Sequence, residues 1–211
     1  MNFAFYVSGN AGRLRKMINS NAGFLSDVKL IVSDDASNRD IADLVSDKHN
    51  IDYMLFDYTQ MSGDKNLVLS NYMLQIFKNY QIDYCFSFGN HILKGDLLTA
   101  YKNRIINFHP SILPMFRGRN AIDQAISQNA FLIGCTAHFI DAGMDTGPVI
   151  MQCVMSKRVF TKDGYDAVLD TQIEMLGKIV ELLINDRIVI NNEGVDILDA
   201  DYSAITFYPS L

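Results

Sequence analysis

The chain of 211 residues lacks the features that mark several classes of protein. It has only three cysteines, Cys85, Cys135 and Cys153, and they are far apart in apolar runs. An odd number at such spacing argues against a disulfide framework or a zinc site, so we expect reduced core thiols and a cytoplasmic protein. No apolar run reaches the roughly 18 residues that a membrane helix needs. The N-terminus runs straight into a strand pattern without a basic leader, so no secretion signal is expected.

An excess of positive charge is also missing, since the formal net charge is −6. This balance argues against nucleic acid as a partner, because phosphates require clustered lysine and arginine, and only 13–16 forms a local basic spot. The four histidines show no H-x-x-x-H or H-x-x-E-H spacing, so no metal site is expected. A G-x-S-x-G motif is absent as well, which leaves covalent acyl transfer without support.

What the sequence contains is an alternation of strand and helix patterns over its first half. Hydrophobic residues make up 49% of the chain, enough for one core, so we expect one catalytic domain over 1–211. Its halves would be a nucleotide-binding-like part (1–106) and a catalytic part (107–211). The predicted fold is α/β: a Rossmann-like, mostly parallel twisted sheet with helices on both faces and a mixed C-terminal part. Strands are predicted at 3–7, 28–32, 53–56, 84–88, 105–108, 134–140, 149–155 and 188–190, and helices after residue 12 and at 38–48, 65–80, 120–127 and 163–185.

A block between residues 107 and 145 carries the residues best suited to catalysis. Asn107 and His109 are two residues apart at a predicted strand end, so both side chains project from one face. An amide can donate to a developing oxyanion, an imidazole can move a proton, and Asp145 can orient the ring. Ser111, Gly118 and His138 are predicted to support them. For Asp145 a turn-capping role, and for His138 a satisfied core histidine, remain alternatives.

The loop Ser8–Gly12 lies between a predicted strand and a predicted helix. Free backbone N–H groups and the positive end of the helix dipole would suit a phosphate there. Arg13, in the first helical turn, would favour an anion further. A plain strand-to-helix turn with Ser8 as the cap explains the same residues almost as well.

The motifs resemble the folate-dependent formyltransferases that share the glycinamide ribonucleotide transformylase fold. The residues that carry this resemblance, in order and spacing, are Asn107–Pro114, Phe116–Gly118, Gly134–His138 and Met144–Ile150, with Ser8–Asn10 at the front. The resemblance implies that Asn107 holds the formyl oxygen and His109 stabilises the tetrahedral intermediate. Asp145 would pair with His109 and relay the amine proton through water. The formyl donor would be N10-formyltetrahydrofolate.

The resemblance also implies two sets of binding residues. The pterin of the donor would lie against Asn90, His91, Ile92, Leu93, Ile140 and Asp141, although the family often has arginine where this chain has His91. The amine acceptor, a small phosphorylated molecule, would lie against Ser8, Gly9, Asn10, Ala11, Gly12, Arg13 and Glu174.

The identity of the acceptor stays open at this point. Arg119 after Phe116-Arg-Gly118 and the tail 204–211 resemble amino-sugar N-formyltransferases, which favours a nucleotide-linked amino sugar. Phosphoribosylglycinamide formyltransferase of purine synthesis is the close alternative, supported by Ser8-Gly-Asn10 and 120–125. A formyltetrahydrofolate hydrolase, in which water replaces the amine, and a non-catalytic ligand-binding relative are the other candidates. A homodimer also stays open, because apolar residues near the C-terminus could cover a dimer surface.

Overall fold

The computed structural model describes residues 1–20, 22–205 and 208 of the chain. It contains two compact units. The first comprises Met1–Asn107 together with Ile140–Ala142, and the second comprises Phe108–Phe139 and Gly143–Leu211. No helix in the described ranges is long and apolar enough to cross a membrane.

The first unit is built on parallel strands in the order β3-β2-β1-β4-β5. All five residues of β1 are apolar and buried, as expected for a parallel strand that is covered on both faces. The strands are β1 (Phe3–Val7), β2 (Val28–Ser33), β3 (Asp52–Leu55), β4 (Tyr84–Phe88) and β5 (Ile105–His109), whose last two residues belong to the second unit. The helices are α1 (Gly12–Asn19), α2 (Ile41–His49), α3 (Lys65–Asn79) and α4 (Asp96–Ala100).

The long helix α3 supplies much of the apolar core of the first unit. Its residues Leu69, Met73 and Phe77 are fully buried and recur at helical spacing, so one face of the helix packs inward. They join a cluster that includes Tyr6 of β1. Asp64 caps the helix by accepting a hydrogen bond from the backbone N–H of Leu67.

The second unit contains an antiparallel pair of strands. The elements are α5 (Ala121–Ser127), β6 (Leu132–Phe139), β7 (Val149–Ser156), α6 (Lys157–Ile184), β8 (Ile188–Ile190) and β9 (Val195–Ile197). Strand β6 pairs with β7, and the register shifts between Ala137 and His138. The chain therefore combines a mostly parallel sheet with helices and a mixed, antiparallel C-terminal part, as the sequence predicted.

No element was predicted for the residues of α4 and β9, and α6 starts earlier than predicted. Helix α6 begins at Lys157 instead of 163, because its first turn runs into a kink at Gly164, whose φ of 62° is non-helical. Glycine adopts that backbone conformation without the steric penalty of a side chain. Because the helix is interrupted there, the regular helical pattern in the sequence begins only near residue 163.

The close approach of Gly89 to Tyr6 gives a stability prediction. A Cβ at Gly89 would lie 1.9 Å from Cε1 of the buried Tyr6 ring. We expect Gly89→Ala to lower the free energy of unfolding by about 2 kcal/mol, since inserting atoms into a packed core displaces its neighbours. Urea unfolding of the full chain measures the change.

Gly177→Ala is the matched control. A Cβ at Gly177 in α6 meets nothing within 4 Å, so alanine should stabilise the chain by up to about 1 kcal/mol through helix propensity. A Gly89→Ala protein as stable as the wild type would contradict the packing described here.

Candidate active site

Asp145 lies in the loop that joins β6 to β7, and its backbone is unusual. Its φ of 53° is in the left-handed region, where a residue other than glycine is strained. The neighbouring Gly143 leaves room for this turn, because a Cβ there would lie 2.0 Å from Oγ1 of Thr146. The backbone N–H of Gly118 donates to Oδ2 of Asp145 at 2.8 Å. The carboxylate is thus held from a second loop of the same unit.

Two imidazole rings face this carboxylate. Nδ1 of His109 is 3.4 Å from Oδ2 of Asp145, and Nε2 of His138 is 3.7 Å from Oδ1. The exposed fractions of the side chains are 6% for His109, 3% for His138 and 17% for Asp145. The structure therefore places His109 within ion-pair distance of Asp145, and His138 adds a second ring.

The far nitrogen of each ring is fixed by a main-chain carbonyl. Nε2 of His109 is 2.8 Å from the carbonyl oxygen of Phe116, and Nδ1 of His138 is 3.0 Å from that of Phe139. A carbonyl oxygen only accepts, so both of these nitrogens carry a proton. The nitrogen that faces Asp145 is then bare in a neutral ring and protonated only in the imidazolium. A second proton on the ring nitrogen that faces Asp145 makes that ring cationic.

The backbone around the cluster is held by three polar side chains, of which Thr136 and Gln172 are buried. Oγ1 of Thr136 donates to the carbonyl of Ser111 at 2.7 Å and accepts from the N–H of Leu113 at 3.0 Å. Nε2 of Gln152 donates to the Leu113 carbonyl at 2.8 Å. Gln172 of α6 donates to the carbonyl of Phe108, the residue next to His109, at 3.2 Å. These bonds satisfy loop and strand-end groups that would otherwise be buried without partners.

Asn107 belongs to the first unit and precedes His109 by two residues on β5. One hydrogen of its amide nitrogen goes to the carbonyl of Ser87 on β4, at 3.0 Å. This bond fixes which end of the amide is nitrogen and leaves its second N–H as a donor. The predicted oxyanion donor is therefore already oriented.

A buried carboxylate, that of Asp34, is bonded to the first residue of the loop that starts at Ser8. Oγ of Ser8 donates to Oδ2 of Asp34 at 2.7 Å and accepts from the N–H of Asn90 at 3.0 Å. The hydroxyl of Tyr6 donates to the same Asp34 oxygen. Burial, with the Asp34 charge adding to it, holds the pKa of Tyr6 well above its usual value. Tyr6 therefore keeps its proton and donates it to Asp34 inside the core of this unit.

Side-chain contacts hold the rest of the glycine loop and the first turns of α1. The N–H of Gly12 donates to Oδ1 of Asn10 at 3.1 Å. Ala11 adopts a φ of 50° ahead of α1. The guanidinium of Arg13 lies 4.8 Å from the centre of the Phe88 ring. Arg15 forms a bidentate pair with Asp40, with bonds of 2.6 and 2.8 Å.

The segment predicted to contact the pterin also lies in the first unit. The His91 ring stacks on Tyr58, with centroids 3.5 Å apart, and its Nε2 is 3.6 Å from Oδ2 of Asp34. Ile92 is 57% exposed, whereas Leu93 is buried. Ile140, which precedes Asp141, joins this unit through its N–H, 2.8 Å from the Ile105 carbonyl.

The structure groups the predicted residues by unit. The first unit holds Ser8–Arg13, Asn90–Leu93, Asn107, Ile140 and Asp141; the second holds His109, Ser111, Gly118, His138, Asp145 and Glu174. Glu174 pairs with Lys178 at 2.9 Å and is 70% exposed.

Two groups that hold these residues, the Asp34 carboxylate and the Phe116 carbonyl, were not predicted from the sequence. Asp34 could have been found from Ser33-Asp-Asp35 at the carboxyl end of a buried strand, but a carbonyl partner has no sequence signal. Within the described residues, no group of three or more histidine, cysteine, aspartate or glutamate side chains could hold a metal.

Comparison with known proteins identifies the class. Residues 1–174 match the family described as formyl transferase, and the chain belongs to that family. The crystal structure of glycinamide ribonucleotide transformylase 1 from Symbiobacterium toebii superposes with a TM-score of 0.79 over 94% of each chain, at 25% identity. The phosphoribosylglycinamide formyltransferase of Bacillus halodurans gives a TM-score of 0.70 at 30% identity and covers 85% of this chain and 95% of that one.

Curated relatives include two activities. The formyltetrahydrofolate deformylase of Bacillus subtilis is 26% identical over 195 residues, which cover 89% of this chain and 62% of that protein. The chain thus spans less than two thirds of that relative. The phosphoribosylglycinamide formyltransferase of the same organism is 29% identical over 153 residues, or 71% of this chain and 76% of that protein.

The hydrogen-bond pattern around Asp145 predicts the tautomers of both rings. When neutral, His109 should carry its proton on Nε2 and His138 on Nδ1, because each of these nitrogens donates to a carbonyl. Nitrogen-15 NMR of the ring nitrogens at alkaline pH distinguishes the two forms. The opposite tautomer of His138 would contradict the arrangement, and the ring of His91 serves as an internal reference.

Proposed function

We propose that the protein transfers the formyl group of N10-formyltetrahydrofolate to a primary amine of a small phosphorylated acceptor. The observation that carries this proposal is the Asp145 carboxylate between two imidazoles whose far nitrogens are fixed. Such a cluster can take up a proton from an attacking amine and hold it close to the reacting carbonyl. Membership of the formyl transferase family supports the same reaction.

Each residue of the proposed centre has a separate task. Asn107 donates its remaining amide N–H to the negative charge that develops on the formyl oxygen. His109, as an imidazolium, stabilises that charge from the same face of β5. Asp145 accepts the proton of the amine, directly or through a water molecule, and becomes neutral, with Nε2 of His138 3.7 Å away. Gly118 keeps the carboxylate in place through its N–H.

The loop Asn90–Leu93 fits a flat, hydrogen-bonding pterin, which supports folate as the formyl donor. The Ile92 side chain is 57% exposed, and its peptide N–H and C=O bond to no other residue in the described part of the chain. An exposed apolar side chain beside unbonded peptide groups is the usual lining of a ligand site. His91 is turned towards Tyr58 and Asp34, so we assign it to shaping this loop.

For the acceptor, a nucleotide-linked amino sugar is our first proposal. Its support is the sequence resemblance at Phe116–Arg119 and in the tail, of which residues 206–207 and 209–211 lie outside the described part. Glycinamide ribonucleotide is the second, supported by the relatives that act as phosphoribosylglycinamide formyltransferases. In either case Arg13 and the first N–H groups of α1 would bind the phosphate. A cytoplasmic location belongs to this proposal, and a homodimer stays a prediction.

Formyltetrahydrofolate hydrolysis is the alternative from another class, and the similarity to the Bacillus subtilis deformylase favours it. The same His109–Asp145 pair could activate water in place of an amine. Incubation of the protein with the donor alone, with glycinamide ribonucleotide, and with nucleotide-linked amino-deoxy sugars separates the three reactions. Mass spectrometry of a formylated amine supports transfer and names the acceptor, whereas release of formate without any formylated amine would overturn it.

Asp145→Asn tests the proton acceptor. We expect kcat to fall about 1,000-fold, within the range that general bases contribute, while the fold is unchanged because the amide can still accept from Gly118. Steady-state formylation and circular dichroism measure the two effects. Asp123→Asn, on the exposed side of α5, is the matched control. Near-normal turnover of Asp145→Asn would rule out the assigned role.

Arg13→Ala tests the phosphate contact. The acceptor KM should rise about tenfold while the donor KM is unchanged, since only the phosphorylated substrate loses a charged partner. Lys102→Ala, an exposed cation in the turn before β5, is the control for a general loss of positive charge. An unchanged acceptor KM would remove Arg13 from the binding site.

A further inference from the structure

Cys135 and Cys153 face each other across the strand pair of the second unit. They are direct partners in the antiparallel register of β6 and β7. Partners of this kind project to the same side of the pair, with Cα atoms about 4.5–5.5 Å apart. A disulfide needs Cα atoms about 4.4–6.8 Å apart, so the register alone places these two thiols within bonding reach.

The two thiols differ in environment. Cys135 is fully buried, whereas Cys153 is only half-buried on β7. The Cys135 thiol donates a hydrogen bond to the Cys153 sulfur, which lowers the pKa of Cys153 to about 7, although burial and the charge of Glu174 oppose this. Lys178 pairs with Glu174 and offsets part of that charge. A partly exposed thiolate beside a second thiol is the arrangement in which oxidation by peroxide is rapid.

The cysteine pair is separate from the side chains that hold the backbone around Asp145. Side chains alternate along a strand, so Cys135 points to the opposite face of β6 from its neighbour Thr136. Cys153 packs against the small apolar cluster of Ala125, Ile133 and Met155. The hydrogen bonds described above for the Asp145 cluster come from Thr136, Gln152, Gln172 and Gly118, none of which is a cysteine.

We propose that Cys135 and Cys153 form a peroxide-sensitive dithiol pair that closes to a cross-strand disulfide. The Cys153 thiolate attacks one oxygen of hydrogen peroxide, the O–O bond breaks, and a sulfenic acid and hydroxide form. The Cys135 thiol then attacks the Cys153 sulfur, the S–S bond forms, and the sulfenic oxygen leaves as water with the thiol proton. Two electrons pass from the two sulfurs to one peroxide. Closure links β6 to β7 covalently.

Cys85 provides an internal comparison. It lies fully buried in β4, and burial raises the pKa of its thiol far above the usual value. It has the same chemistry as Cys153 without exposure or a partner cysteine in register. Any treatment that oxidises all thiols alike would modify Cys85 as well, so its state reports on selectivity.

The test uses the full wild-type chain and hydrogen peroxide near stoichiometric amounts at pH 7.5. Peptide mapping by mass spectrometry should show a Cys135–Cys153 linked peptide, lighter by two hydrogen atoms, with Cys85 still reduced. Iodoacetamide labelling of the reduced protein should be at least tenfold faster at Cys153 than at Cys85, and half-maximal near pH 7. Equal labelling rates, or sulfinic acid at Cys153 without the linked peptide, would overturn the proposal.

Two variants separate the roles of the thiols. Cys153→Ser should abolish the linked peptide and leave Cys135 unoxidised. Cys135→Ala should still form a sulfenic acid at Cys153, trapped by dimedone, that persists because nothing resolves it. The linked peptide assay in the wild type needs neither variant, so a folding defect in either one leaves the test intact. The readout is independent of formyl transfer and stands whether or not that proposal holds.

Discussion

The partial burial of the Asp145 carboxylate is the constraint on which the arrangement of the proposed site in the second unit depends. An ionised carboxylate that is 17% exposed is stable only when hydrogen bonds and charges replace the water it has lost. Gly118 supplies an N–H, and His109 and His138 supply a charge and a donor only as imidazoliums, since their neutral rings face Asp145 with a bare nitrogen. The left-handed backbone of Asp145 adds a cost of about 1–3 kcal/mol. A residue that costs stability and is nevertheless held by several groups is a candidate for a functional role.

The first unit contains a carboxylate that is fully buried and has a different effect. Asp34 binds the hydroxyls of Tyr6 and Ser8, and Ser8 in turn accepts from Asn90. Ser8 is thus occupied inside the protein, and a negative charge lies beneath the glycine loop. A phosphate at this loop would depend on Arg13 and on the N–H groups of α1. The acceptor site that we propose therefore places more weight on Arg13 than the sequence pattern suggested.

Much of the fold could be predicted from the periodicity of apolar residues, but how clearly each element shows in the sequence depends on its length and burial. Strand β1 reads clearly because a parallel strand covered on both faces is a continuous apolar run. The short β9 carries too few residues for alternation to show, and the kink at Gly164 hides the true start of α6. Asn107, His109 and Asp145 could be proposed from the sequence because these polar residues lie near the end of a strand or in the loop after one. The Phe116 carbonyl and the tautomers it imposes depend on backbone geometry, which residue types do not encode.

Titration of the wild-type protein with N10-formyltetrahydrofolate, followed by nitrogen-15 NMR of the histidine rings, tests whether the Asp145 cluster responds to the formyl donor. We expect the ring signals of His109 and His138 to shift together with donor binding, because both rings face the carboxylate of Asp145. The signal of His49, at the end of α2, should stay in place. Saturable donor binding with no change at His109 and His138 would contradict the account.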